Sequence, residues 1–161
     1  MDKKFKEAEG LNHVSRFHYM FGMPVLSSPE IPDEKRCELR INLLQEELNE
    51  LKEALADKDI VEVADALCDL QYVLSGAILE FGLGNLFSEL FDEVQRSNMS
   101  KTCKTEKEAT ETQAHYLKTK GVESFIVERE DQFLVFRSND KKVLKSVEYS
   151  PADLTKILNG K

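Results

Sequence analysis

Residues 43–70 read LLQEELNELKEALADKDIVEVADALCDL, and this stretch decides the fold because it contains two helical patterns separated by a short polar turn. Apolar residues of the first pattern recur at steps of three and four, at Ile41, Leu44, Leu48, Leu51 and Leu55. The second pattern begins after Asp57 or Asp59, either of which can cap a helix, and runs to about Phe81 before Gly82. A short turn predicts that the two helices pack as antiparallel neighbours.

Carboxylates follow both helices at helical offsets. Glu47 and Glu50 lie three residues apart and border the leucine stripe of the first helix. Glu46 lies further from this stripe around the helix axis. In the second helix, Glu62, Asp65 and Asp69 form one narrow stripe. Such acids on a helix are usually a solvated face.

The surroundings of the second stripe favour a different interpretation. From Val61 to Leu79 nearly every other position is apolar or small, so we expect this helix to be mostly buried and its acids to face the first helix. Converging carboxylates with no interleaved Lys or Arg repel one another and are costly to bury unpaired. A hard divalent cation relieves that cost, and the pattern therefore predicts a Mg²⁺ site. Glu53, Asp57 and Asp59 are expected to be surface or capping residues.

The N-terminal region predicts one more helix. It covers Lys3 to Phe21, and its expected core contacts are Phe5, Ala8, Val14, Phe17 and Phe21. The following stretch, GMPVLSSPEIP, is a loop because its prolines exclude a regular helix. Asp33 and Glu34 then supply the acidic first turn of the helix that contains Glu47.

The C-terminal half changes from helical to extended patterns. GNLFSELFDEVQRSNMSK is an amphipathic helix, and TEKE is a capping box that opens a helix to Lys120. SFIVERE and QFLVFRS predict a β-hairpin, and PADLTKIL predicts a last short helix. The expected fold is mainly α: a helical bundle over residues 1–121, with a small hairpin and tail over residues 122–161 packed on it as one domain.

Charge and cysteine content limit the class of protein. The 161 residues carry a net charge of −8, with 20 acidic and 10 basic residues in residues 1–100 and 10 acidic and 12 basic residues in residues 101–161. An acidic body argues against nucleic-acid binding, and no apolar run is long enough for a membrane span. The start of the chain shows no signal-peptide pattern. Three widely spaced cysteines indicate neither a disulfide framework nor a zinc site, so we expect a cytoplasmic protein.

These motifs resemble a known superfamily. EELNE followed by EVAD resembles the EExxE…ExxD signature of the all-α nucleoside triphosphate pyrophosphatases, which include MazG-like, phosphoribosyl-ATP pyrophosphohydrolase-like and dimeric dUTPase-like proteins. FHYMFGMP, SNMSK and the late DKKVLKSVEYSPADL are similar to segments of the phosphoribosyl-ATP pyrophosphohydrolase-like members. The resemblance covers most of residues 13–101 and the tail from about Phe136, but not residues 102–135.

The resemblance implies a function and assigns residues to it. It implies that Glu47, Glu50, Glu62 and Asp65 bind Mg²⁺, for which Mn²⁺ can substitute, and that Glu46 is the general base. The implied reaction cleaves the α–β phosphoanhydride of a nucleoside triphosphate to a monophosphate and pyrophosphate. Residues implied to contact the substrate or its phosphates are Asp69, Asn98, Lys101, Lys142, Lys145 and Tyr149.

Several alternatives remain open at this point. The enzyme could instead hydrolyse phosphoribosyl-ATP in histidine biosynthesis, or the chain could be a catalytically idle helical oligomer that binds nucleotide or protein. The lysines of the tail could equally be a solvated basic strand. For the FHYMFG motif, helix packing is favoured over stacking on a base. Residues 60–79 are apolar on more sides than one thin helical bundle can cover, which predicts a homodimer or a dimer of dimers.

Overall fold

The computed structural model describes residues 4–160 and is mainly helical, with a two-stranded antiparallel hairpin near the C-terminus, which confirms the predicted class. In chain order the elements are α1 (Gly10–Phe21), α2 (Glu34–Asp57), α3 (Ile60–Glu80), α4 (Phe87–Met99), α5 (Glu106–Lys120), β1 (Ser124–Arg129), β2 (Gln132–Arg137) and α6 (Thr155–Leu158). None of these helices is long and apolar enough to cross a bilayer. The chain divides into two compact units, residues 1–87 (unit 1) and residues 88–161 (unit 2). The sequence analysis separated a helical bundle of residues 1–121 from a tail of residues 122–161, whereas the residue contacts of the structure separate the chain into units after residue 87.

Unit 1 is built on the helix pair α2 and α3, with α1 packed against α3. Asp33 caps α2 by accepting a hydrogen bond from the backbone N–H of Arg36 at 3.1 Å. Asp59 caps α3 in the same way, with the backbone N–H groups of Val61 and Glu62 as donors. The link between α2 and α3 is only Lys58 and Asp59, and Lys58 adopts the left-handed conformation with φ 58°. The two-residue link holds the acid-bearing helices side by side.

A buried ion-pair network lies at the opposite end of α3. The carboxylate of Glu80 is 1% exposed and accepts hydrogen bonds from the guanidinium groups of Arg36 and Arg40. Burial alone would raise the pKa of Glu80, but the hydrogen bonds from the two arginines hold it below its ordinary value. His18 lies beside Arg40, with 3.3 Å between Nε2 and Nη2, and its Nδ1 is 2.8 Å from the carbonyl oxygen of Pro24. His18 is therefore a packing residue that holds the loop after α1.

The loop of residues 22–33 is fastened to the end of α3. Leu26 donates its backbone N–H to the carbonyl of Leu79, and Glu30 donates to that of Phe81. Gly82 has φ +67°, and a Cβ at this position would lie 1.9 Å from the carbonyl oxygen of Ser28. The close approach of two backbone segments therefore requires glycine here.

The N-terminal prediction needs correction. The predicted helix start at Lys3 lies outside the described residues, and residues 4–9 are not helical; α1 begins only at Gly10. Val14 is buried as expected, but Phe5 and Phe21 are 74% and 69% exposed, and Ala8 is also exposed. Phe17 is partly exposed and packs on Phe21 and Tyr72. The apolar spacing indicated the helix correctly but not which residues lie in the core, because only one face of α1 meets α3.

Unit 2 is built around the hairpin. β1 and β2 pair antiparallel from Ser124 with Arg137 to Arg129 with Gln132, and α5 packs on both strands. Thr105 caps α5 as predicted, with its hydroxyl accepting from the backbone N–H of Glu108, whereas the Glu108 carboxylate accepts from Lys104, one residue before the cap. The buried core of the unit consists of Cys103, Ala109, Val135 and Leu144.

Candidate functional site

The predicted acid group of unit 1 gathers around Glu47, the one half-buried side chain of the EELNE motif's three glutamates. Partial burial raises the pKa of Glu47, and the charges of Glu50, Asp69, Glu46 and Asp65 raise it further. The α2–α3 pairing therefore brings Asp65 and Asp69 of α3 within electrostatic range of the motif on α2. Among the described residues, Glu47 has no basic partner within ion-pair distance.

An acidic cleft of about 410 Å³ lies between the same two helices. It includes three of the predicted metal ligands, Glu50, Glu62 and Asp65, together with Ala54 and Ala66. It is also lined by three acids that the sequence analysis assigned to the surface or to caps: Glu53, Asp57 and Asp59. Asp59 caps α3 as predicted, but the cleft adds all three to the acids near the site. Their signal in the sequence was their position near the two-residue link: Glu53 and Asp57 lie in the last turns of α2, and Asp59 is part of the link.

The acid stripe of α3 is more exposed to solvent than the apolar residues around it led us to expect. Glu62 and Asp65 are exposed and Asp69 is half-buried, so the expectation of a mostly buried α3 is wrong for residues 60–74. Ile60 and Val61 are 76% and 70% exposed. Only the last six residues of α3, from Ser75 to Glu80, are largely buried. The physical reason is that α1 and α2 cover only part of a helix that is apolar on most sides.

The donor set fits a hard divalent cation in its chemistry. Every predicted ligand is a carboxylate, and the repulsion around Glu47 is the kind that a divalent cation relieves. Within residues 4–160, however, no group of three or more Asp, Glu, His or Cys side chains has the geometry to hold a metal ion. The acids are thus assembled on adjacent helices without the convergence of a closed metal cage.

Four of the predicted phosphate contacts meet within unit 2. Lys101 Nζ donates to Asn98 Oδ1 at 2.7 Å, and Lys145 Nζ lies 4.0 Å from the centre of the Tyr149 ring. The Tyr149 hydroxyl is 3.1 Å from Ser97 Oγ. This hydrogen bond, followed by the nearby Lys145 and Lys101, lowers the pKa of Tyr149.

Lys142 is placed differently from the other predicted contacts. Its side chain is exposed, its backbone N–H donates to Asp140, and its carbonyl accepts from Arg137. The contacts of Lys142 therefore belong to the turn after β2 and not to the group around Tyr149. The sequence analysis did not single out Ser97, although it begins the SNMSK motif.

Comparison with known proteins agrees with these features. A sequence model of the phosphoribosyl-ATP pyrophosphohydrolase family matches residues 14–98, which include all of the predicted acids. An uncharacterized protein of Acanthamoeba polyphaga mimivirus is 30% identical over 125 residues, which are 73% of this chain and 48% of that protein. The chain thus spans about half the length of this relative. Because the family match covers more than half of the sequence, the chain belongs to the phosphoribosyl-ATP pyrophosphohydrolase family.

Proposed function

We propose that the protein is a Mg²⁺-dependent nucleoside triphosphate pyrophosphohydrolase that cleaves the α–β phosphoanhydride and releases a nucleoside monophosphate and pyrophosphate. The observation that carries the proposal is the half-buried Glu47, whose pKa is raised by burial and by four neighbouring carboxylates. In the described part of the chain, none of these five acids forms an ion pair with a basic side chain. A protein gains nothing in stability from such an arrangement, which indicates a role in binding a cation. Family membership supports the same class of reaction.

Each acid has a proposed role. Glu47, Glu50, Glu62 and Asp65 hold the cation, which when bound neutralises phosphate charge and polarises the attacking water. Glu46 is exposed beside them, where its carboxylate can accept the proton of that water. Asp69, whose charge reaches Glu47, orients the ligands or the nucleotide.

We further propose that the protein acts as a homodimer or a dimer of dimers. The support is the apolar surface that unit 1 leaves uncovered. Its exposed side chains on α2 and α3 include Ile41, Leu55, Ile60, Val61 and Leu67. Apolar patches of this kind mark protein interfaces in soluble proteins. Light scattering of the full chain is expected to give a mass of two or four copies, and a monomer at micromolar concentration contradicts the proposal.

The second candidate is hydrolysis of phosphoribosyl-ATP, which the family's description favours. Both reactions cleave a phosphoanhydride with the same acids, so unit 1 supports both equally. A direct comparison of rates with phosphoribosyl-ATP, dUTP, dCTP and ATP separates them. A catalytically idle oligomer predicts nucleotide binding without turnover of any of these substrates.

The decisive experiment is pyrophosphate release from this substrate panel with Mg²⁺, for the wild type, Glu47→Ala and Glu38→Gln. Glu38 is an exposed acid on the same helix outside the predicted site, and its variant serves as the matched control for lost charge. We expect Glu47→Ala to lose about 10³-fold in rate, since it removes several kcal/mol of charge stabilisation, and Glu38→Gln to keep the wild-type rate. Near-wild-type release by Glu47→Ala would falsify the proposal.

A further inference from the structure

A second cleft, of about 340 Å³, lies in unit 2 between α5 and the segment of residues 145–149. Its walls are His115, Tyr116, Lys145, Ser146, Val147 and Tyr149. α5 belongs to residues 102–135, the part of the chain that neither the resemblance nor the family match covers. The volume lies at the lower end of the range found for small-molecule sites.

Buried polar residues hold the 145–149 segment in place. Thr112 is fully buried on α5, and its hydroxyl accepts the backbone N–H of Val147 at 3.1 Å. The Ser146 hydroxyl donates to Glu108, and its backbone N–H donates to the carbonyl of Lys101 at 3.2 Å. The side chains of the cleft therefore project from a fixed backbone, which lowers the entropy cost of binding a ligand.

Lys145 gives the cleft a cationic side. Lys145 lies over the Tyr149 ring, and neither it nor Lys101 forms an ion pair in the described part of the chain. Other basic residues of unit 2 do pair: Arg96 with Glu93, and Arg137 with Asp140. The hydroxyl of Tyr149 adds a hydrogen-bonding group beside the lysine. An anion is the kind of ligand that would pair with the Lys145 ammonium and the Tyr149 hydroxyl together.

The opposite side of the cleft is aromatic. The rings of His115 and Tyr116 are 5.5 Å apart in an edge-to-face arrangement. Tyr116 packs on the buried core of unit 2, so its position is fixed, whereas His115 is exposed. A planar aromatic group can stack on such a surface.

We propose that this cleft binds a mononucleotide unit, with Lys145 and Tyr149 on its phosphate and with His115 and Tyr116 beside its base. The class of ligand rests on the proposed function, whereas the site itself is argued from unit 2 alone.

The test is calorimetric titration of the full chain with AMP, CMP, GMP, UMP and, separately, pyrophosphate, in EDTA so that no cation bridges these anions to the acids of unit 1. The variants are Lys145→Ala, Lys145→Arg, His115→Ala and Lys107→Ala, each checked for an unchanged melting temperature. Lys107 is an exposed lysine of α5 paired with Glu111 and is the matched control. None of the probes contains the α–β bond of a triphosphate, so binding and hydrolysis are tested independently.

We expect at least one monophosphate to bind once per chain. Lys145→Ala should weaken both this nucleotide and pyrophosphate about tenfold or more, with recovery in Lys145→Arg and no change in Lys107→Ala. His115→Ala should weaken the nucleotide about fivefold and leave pyrophosphate unchanged. Absence of monophosphate binding, or equal affinities of Lys145→Ala and the wild type, overturns the proposal even if the enzyme hydrolyses triphosphates. Loss of the proposed hydrolysis with retained binding overturns only the function of unit 1.

Discussion

The two units differ in which charges they leave unpaired. Residues 1–87 contain 17 acidic and 9 basic residues, a net charge of −8, and residues 88–161 contain 13 of each. Within residues 4–160, the carboxylates around Glu47 in unit 1 form no ion pair with a basic side chain, and Lys145 and Lys101 in unit 2 form none with a carboxylate. Both units also contain well-formed pairs, such as Glu80 with Arg40 and Glu93 with Arg96.

This chain forms buried and exposed ion pairs, but it leaves the charges unpaired at two places in residues 4–160. The helices α2 and α3 pair the buried Glu80 with two arginines, and a basic side chain placed near Glu47 could neutralise its charge in the same way. The unpaired carboxylates of unit 1 suit a cation, and the unpaired lysines of unit 2 suit an anion. Five measurements test this difference between the units.

The largest effect is expected from Glu46→Gln, which keeps the shape of the side chain but removes its basicity. Loss of a general base lowers kcat by about 10²–10⁴-fold, with little change in KM if the metal and substrate still bind. Steady-state kinetics with the preferred triphosphate measures both constants. A raised KM with unchanged kcat would assign Glu46 to binding and not to proton transfer.

The buried pair of unit 1 is expected to dominate stability. Glu80→Gln removes the charge that compensates Arg36 and Arg40, and breaking a buried pair costs about 3–5 kcal/mol of unfolding free energy. Urea denaturation at pH 7 measures this, and Glu93→Gln, whose partner Arg96 is exposed, is the control with a much smaller change.

The pH dependence of Glu80 has a defined sign. Its pKa is lowered in the folded state, so its stabilisation is present above the ordinary value of 4.5 and is lost as pH falls through the folded pKa. The wild type should therefore lose stability in acid more steeply than Glu80→Gln. Parallel stability curves for the two proteins between pH 3 and 7 would contradict the assignment.

Glu47 is expected to show the opposite behaviour. Because its pKa is raised, its charged form destabilises the metal-free protein, and Glu47→Gln should melt at a higher temperature than the wild type at pH 7 in EDTA. The difference should shrink as pH falls through the folded pKa and vanish below about the ordinary value of 4.5. Adding Mg²⁺ should raise the melting temperature of the wild type more than that of the variant. An equal rise in both proteins would place the ion elsewhere.

The smallest effect concerns Tyr149 in unit 2. The hydrogen bond to Ser97 is the main cause of its lowered pKa, so Ser97→Ala should raise that pKa toward the ordinary value of 10. Absorbance at 295 nm follows ionisation of the four tyrosines, and Tyr149→Phe identifies which step belongs to Tyr149. An unchanged first step in Ser97→Ala would mean that the two lysines alone set the pKa.

Local structure was largely predictable from the sequence because it depends on short-range chemistry. The caps at Asp59 and Thr105, the α2–α3 link and the hairpin from Ser124 to Arg137 all follow from neighbouring residues. The acids Glu47, Asp65 and Asp69 were predictable as a group for the same reason, since helical spacing and one short link fix their separation.

Features that depend on distant contacts were not predictable. Glu80 pairs with residues 40 and 44 positions away, and nothing in its immediate sequence distinguishes it from a surface acid. The exposure of Ile60 and Val61 was missed because periodicity reports that a face is apolar, not whether this chain covers it. The cleft beside His115 arises from the packing of α5 against residues 145–149, about 30 positions later in the sequence.

The two-residue link of Lys58 and Asp59 sets a limit on how this protein can evolve. Surface loops usually accept inserted residues at little cost. Here one more residue would free α3 to turn or slide along α2, and each residue of slip rotates a helical side chain by about 100°. Such an insertion would leave both helices folded while separating Asp65 and Asp69 from Glu47. We therefore expect natural length variation to accumulate elsewhere, and the spacing between the two acid motifs to change only together with the loss of activity.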